Sequence, residues 1–287
     1  MLGQRAPVRL SGAMTFLAHP AHHHGGDLGT LPAVIGPVLL AAGYLTLVAL
    51  RRHETRGWSP WRTASFLTGA ALLAAALTGP VASFAGADFR GHMLQHLLIG
   101  MLAPLGLVLG APVRLLLGSL PPSQGRRVGR ILRSGAVHVI ANPWTALMLS
   151  VGGLAVLYCT PLYRITATGP VAHHLVHLHF LLAGYLFAWV IAGPDPAPLR
   201  PSVPMRLLVM GVAVAVHATL SQLMYAGLLV DVPVPPDQLR GAAEIMYYGG
   251  DIAELLLAFA LVSAWHPLRH GSASKKESPP GRRLAVK

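Results

Sequence analysis

Seven separate stretches of this chain, 31–50, 64–86, 91–113, 143–163, 173–193, 206–230 and 243–264, stay apolar over a membrane-crossing length. A helix needs about 20 such residues to cross a hydrocarbon layer roughly 30 Å thick. No other feature restricts the fold as strongly. In lipid, each segment must satisfy its own backbone groups, which leaves helices or a closed barrel. None of the stretches shows the two-residue alternation of barrel strands. The chain is therefore predicted to be all-α, a polytopic bundle of about seven transmembrane helices with the lipid bilayer as its solvent. Only 11% of its 287 residues are charged, against about 25% in soluble chains, which excludes a soluble multidomain enzyme. One Cys in the whole chain excludes an internal disulfide framework.

Loop charge predicts the orientation. Segments 51–63, 114–142 and 265–287 carry net charges of +3, +5 and +5, whereas 87–90 is balanced, 164–172 holds only Arg164, and 231–242 is −1. Basic loops stay cytoplasmic, so the C-terminus is expected in the cytoplasm and the N-terminus outside. The same rule accounts for the overall charge of +12, and no nucleic-acid partner is expected. The organisation that follows is a His-rich segment 1–30 outside, a bundle 31–264, and a basic, disordered tail 265–287, in the cell (plasma) membrane. Arg5 and Arg9 precede no adequate apolar core, so no cleaved signal peptide is expected. The run Arg126, Arg127, Arg130, Arg133, with Val128, Ile131 and Leu132 between, reads as ordinary cytoplasmic charge or a short helix on the leaflet surface.

The 15 histidines are the unusual quantity, because ionisable groups are costly in hydrocarbon and mark function there. His92 and His96 lie four apart, on one helix face, in the predicted outer turns of the third span. His173 and His177 repeat that spacing where the fifth span enters from the same side, with His174 adjacent and His179 directed elsewhere. Two such pairs suit a metal, since imidazole is the commonest ligand and i,i+4 rings converge on one ion. His217, near the middle of the sixth span, is a further candidate ligand. Asp251 and Glu254 in the seventh span are expected to orient a ligating His, to ligate directly, to carry protons, or to pair with a polar group of another helix. Met224 and Met246 are nearby thioethers, although buried Met is more often packing. For His53, His138, His266 and His270 headgroup or helix contacts are the simpler reading. His22, His23 and His24 are a weak metal-binding run or a polar tail. Cys159 reads as a packing residue.

The run His92-Met93-Leu94-Gln95-His96, followed by Leu109-Gly110-Ala111-Pro112, resembles the polytopic CtaG family of caa-type cytochrome c oxidase assembly factors. Further matches are His173 to His177, Phe180-Leu181-Leu182-Ala183-Gly184, Gly193-Pro194-Asp195-Pro196, His217 and Gly249-Gly250-Asp251. The resemblance covers roughly residues 30–265. It departs from the family in the extra His174 and His179, and in Asp251 where Glu is expected. It implies a protein that matures a haem–copper oxidase, plausibly by handling copper, with an oxidase subunit as partner and a copper donor protein upstream. Copper accepts imidazole in either oxidation state and thioethers favour Cu(I), so the preferred reading is a copper-binding assembly factor without turnover chemistry. Two alternatives stand beside it. One is a seven-span zinc hydrolase using His and Asp, with Asp251 or Glu254 as general base. The other is a haem-binding electron carrier with imidazoles facing each other across the bundle.

Overall fold

A computed structural model describes residues 31–51, 57–197 and 200–264. The segments 1–30 and 265–287, with His53, lie outside the described residues. All regular structure among the described residues is helical: α1 Leu31–Leu50, α2 Pro60–Leu77, α3 Gly79–Ala87, α4 Phe89–Leu97, α5 Ala103–Leu109, α6 Pro112–Ser119, α7 Pro122–Leu132, α8 Gly135–Ile140, α9 Pro143–Leu147, α10 Gly153–Cys159, α11 Leu162–Thr168, α12 Pro170–Ala192, α13 Val203–Ala226 and α14 Pro236–Ser263. Wide π-turns at Leu98–Leu102 and Met148–Gly152 join α4 to α5 and α9 to α10.

Among the described residues, five of the helical rods are long and apolar enough to cross a membrane, and two bent pairs raise the number to as many as seven when each pair counts as one span. The pair α2–α3 bends by 43°, and the pair formed by Pro143–Cys159 and α11 bends by 80°. At the first bend Thr78 leaves helical geometry, and Gly79 takes φ +61°, a value that suits a residue without Cβ. The predicted spans 64–86 and 143–163 are thus broken rods. The other five agree with the sequence to within a few residues at most ends. The Pro content does not fragment the bundle, because α2, α6, α7, α9, α12, α13 and α14 each carry Pro in the first turn. There its missing N–H costs no hydrogen bond.

The distribution of polarity is that of a chain folded for lipid. Leu39, Leu255 and Phe259 are exposed, whereas His92, Gln95, His96, His177, His217 and Glu254 are buried. Close backbone approaches hold α2 against α5: a Cβ on Gly106 would stand 2.8 Å from Gly69 Cα, and Ser65 Oγ donates to the Gly106 carbonyl at 2.9 Å. The Gly106-x-x-x-Gly110 spacing therefore marks a helix contact, with Phe66 packed on Gly110.

The two motifs Leu109-Gly110-Ala111-Pro112 and Gly193-Pro194-Asp195-Pro196 meet in space. Ala111 turns the chain with φ 52° and its side chain offers no cap to α6. Asp195 supplies one from 81 and 82 residues away: its carboxylate accepts from Arg114 N at 2.8 Å and Val113 N at 3.0 Å. Arg114 donates to the Pro194 carbonyl at 2.9 Å, and Arg200 to the Asp195 and Gly193 carbonyls.

Candidate metal centre

The histidine pairs predicted on separate spans face each other. α4 begins where Asp88 caps it, its carboxylate accepting from Arg90 N at 2.8 Å and pairing with the Arg90 guanidinium at 2.6 Å. That guanidinium holds the Asp88 carboxyl below the usual carboxylate range. Replacing Asp88 by Ala removes the cap and is expected to destabilise the fold by about 1 kcal/mol, read as a lowered unfolding temperature in detergent; an unchanged temperature contradicts this role. Two turns on, Gln95 donates to the Ala76 carbonyl at 2.7 Å and fixes the rotation of α4 against α2. Gly184 of α12 lies against the Gly100 carbonyl in the wide turn after α4, so the two rods approach at backbone contact.

At that approach four imidazoles come together. Ring centroids are 4.1 Å apart for His92 and His96, 4.2 Å for His173 and His177, 5.4 Å for His96 and His177, and 6.2 Å for His92 and His173. Tyr163 and Phe89 stand against the His92 ring at 5.4 and 5.6 Å. Tyr158 OH lies 3.2 Å from His96 Nδ1 and donates to Met93 Sδ at 3.8 Å. With the hydroxyl proton directed at sulfur, its oxygen accepts from His96 Nδ1–H, which leaves a lone pair on Nε2.

The Nε2 atoms of His92, His96 and His177 are buried and have no hydrogen-bond partner. Nearly all buried polar atoms in proteins are paired, so three orphans at one place demand an explanation such as a bound ion or water. Among the described residues no group of three His, Cys, Asp or Glu already stands in metal-holding geometry. A common ion therefore requires the rings to turn, and His92, His173 and His177 border a cavity of about 620 Å³ in which to do so.

The other candidate residues divide. His217 stands apart from the four rings, its Nδ1 3.4 Å from Glu254 Oε1. Glu254 and Gly250 are four apart on one face, and the His217 ring occupies the space a Cβ on Gly250 would take. Asp251 lies some 60° round the helix from Glu254 at 100° per residue, and is half-buried and borders neither cavity. His174 is exposed, with Nδ1 2.6 Å from the Pro170 carbonyl. His179 reaches the Leu149 carbonyl at 3.1 Å, in the second wide turn. Met224 packs among Phe89, Phe180 and Met246, while Met246 also borders a second cavity. Sequence reasoning gave Tyr158 and Tyr163 no role, because no spacing marks a lone aromatic in an apolar span. Gln95 sat inside the quoted His92–His96 run, and its polarity within a span was the available signal.

The sequence profile of the family described as "Cytochrome c oxidase caa3 assembly factor (Caa3_CtaG)" matches residues 42–267. The chain belongs to this family. The match takes in all the residues of the four rings, His217 and Glu254. The Caa3_CtaG chain is similar to curated proteins named only as uncharacterized. Those of Mycobacterium bovis and Mycobacterium tuberculosis are each 31% identical over 261 residues, covering 84% of this chain and 39% of theirs. One from Mycobacterium leprae is 27% identical with the same coverage. The chain thus spans about two fifths of the length of these relatives. No solved structure matches it significantly. The family is thus one described as an assembly factor for cytochrome c oxidase, and the apolar helices are those of a multi-pass membrane protein.

Proposed function

We propose that the protein serves oxidase assembly by holding copper between α4 and α12 and passing it to an oxidase subunit. The observation that carries this reading is the set of three buried, unpartnered imidazole nitrogens on His92, His96 and His177, with His173 beside them. Neutral imidazoles bind copper in either oxidation state without adding charge to a buried site. His96 is oriented by Tyr158, as a ligating His is by a hydrogen bond to its other nitrogen. The rings turn onto the ion as it enters the adjoining cavity, and the absence of a closed ligand cage suits a cargo that must leave by ligand exchange. The receiving site is itself built from His, as the oxidase class implies. The basic loop charges support a position of the rings toward the outer face of the plasma membrane, where a donor protein would deliver the ion.

The test is a Cu(I) titration of detergent-purified protein against a competing chelator, with copper in the oxidase measured in parallel in cells. Changing His92, His96 and His177 together to Ala is expected to weaken copper retention by at least about a hundredfold, close to 3 kcal/mol, and to leave the oxidase copper-deficient. Unchanged copper affinity in this variant overturns the reading.

A further inference from the structure

His96 lines one cavity and stands beside a residue that lines another. Its ring lies 5.4 Å from His177, which lines a large cavity, and it lines a smaller cavity of about 80 Å³ among α4, α12, α13 and α14. Around the smaller cavity stand Met93, Met101 and Met246, with His217 and Glu254 on the other helices. Apart from Ser150 the lining is otherwise apolar, yet Glu254 Oε2 is buried there without a hydrogen-bond partner. A carboxylate and three thioethers around one small space form an unusual donor set for a site that only packs.

We infer that this smaller cavity is a second metal station, selective for Cu(I), to which the ion moves from the imidazoles of α4 and α12 by ligand exchange at His96. The copper cargo rests on the function proposed above; the station itself rests on the His217, Glu254 and Met positions. Thioethers bind Cu(I) in preference to divalent ions. One carboxylate balances one positive charge, whereas a divalent ion would leave net charge in an apolar enclosure. Glu254 also faces His217 Nδ1 at 3.4 Å, the arrangement in which a carboxylate orients an imidazole and leaves Nε2 to ligate. The bare Gly250 face makes room for that ring. The exchange involves no electron transfer: copper stays Cu(I) and bound to the shared His96, and each new bond to the second set of ligands replaces one to His92, His173 or His177.

Full-length protein, purified in detergent under reducing conditions, is titrated with Cu(I) against a chelator and examined by X-ray absorption. Wild type is expected to bind two equivalents, one with sulfur ligands. The double variant Met93→Leu/Met246→Leu, which conserves volume, is expected to lose the sulfur scattering and weaken the second equivalent at least about tenfold, roughly 1.4 kcal/mol, while keeping the first. His217→Ala is expected to weaken the same equivalent. The variant His92→Ala/His173→Ala/His177→Ala is expected to keep the sulfur-ligated equivalent alone. Copper bound without sulfur scattering in wild type, or unaffected by the Met and His217 changes, overturns the second station and leaves the first intact. Sulfur-ligated copper as the sole species in wild type, unaltered in the triple His variant, overturns the first and leaves the second.

Discussion

Replacing Gly184 by Leu is expected to be the most damaging single change in the bundle. A Cβ at this position falls on the Gly100 carbonyl oxygen, 2.8 Å from its carbon and 3.2 Å from Pro104 Cγ. The obstacle is backbone, which no rotamer change removes, so α12 has to move away from the wide turn at Leu98–Leu102. Overpacking usually costs about 1–3 kcal/mol; separating two rods held at backbone contact is expected to cost about 3 kcal/mol or more. The same displacement draws His173 and His177 away from His92 and His96. Thermal unfolding and Cu(I) titration in detergent are expected to show a clear drop in unfolding temperature and at least about a tenfold loss of copper affinity. Gly211→Ala is the control, because nothing lies within 4 Å of its missing side chain. In a helix interior that change is expected to stabilise by up to about 1 kcal/mol. Equal unfolding temperatures for the two variants contradict the packing account.

Asp195→Ala is expected to rank second. The carboxylate satisfies two backbone N–H groups at the start of α6 and joins the loop after α12 to the corner after α5. Removing it leaves two part-buried donors without their acceptor, at a cost of about 2 kcal/mol. Asn keeps one acceptor and is expected to cost about half as much. Burial pushes the Asp195 carboxyl above its ordinary range, against the Arg114 and Val113 N–H bonds that hold it down. The folded protein therefore binds this proton more tightly than the unfolded chain. Its stability falls as pH rises from the ordinary carboxylate value through the raised one, and is flat beyond. Asp195→Asn is expected to lack that slope. A slope that persists in the Asn variant assigns it to another group.

Much of this was legible in the residues. Seven apolar runs gave the helical bundle, and i,i+4 spacing put His92 with His96 and His173 with His177. The breaks in two spans were passed over in the apolar runs. Gly79 is followed by Pro80, a local turn signal, but unbroken hydropathy on both sides reads as one continuous span. The two Pro-containing motifs were visible as strings, but their partnership depends on contact across 81 residues. Asp251 and Glu254 looked equivalent at three residues apart. Which one meets His217 is decided by the rotation of α14, and that rotation is set by Gly249 and Gly250 packing on Leu97 and His217. Tyr158 carried no signal, because its role exists only once α10 lies beside α4.

The central claim is that imidazoles from two rods share one ion. X-ray absorption on the copper-loaded, purified protein tests it most directly. Imidazole nitrogens are expected at about 2.0 Å, with the multiple scattering of intact rings, at a strength that falls when His92 and His177 are both replaced by Ala. Copper held without imidazole scattering, or with scattering unaltered in that variant, contradicts it.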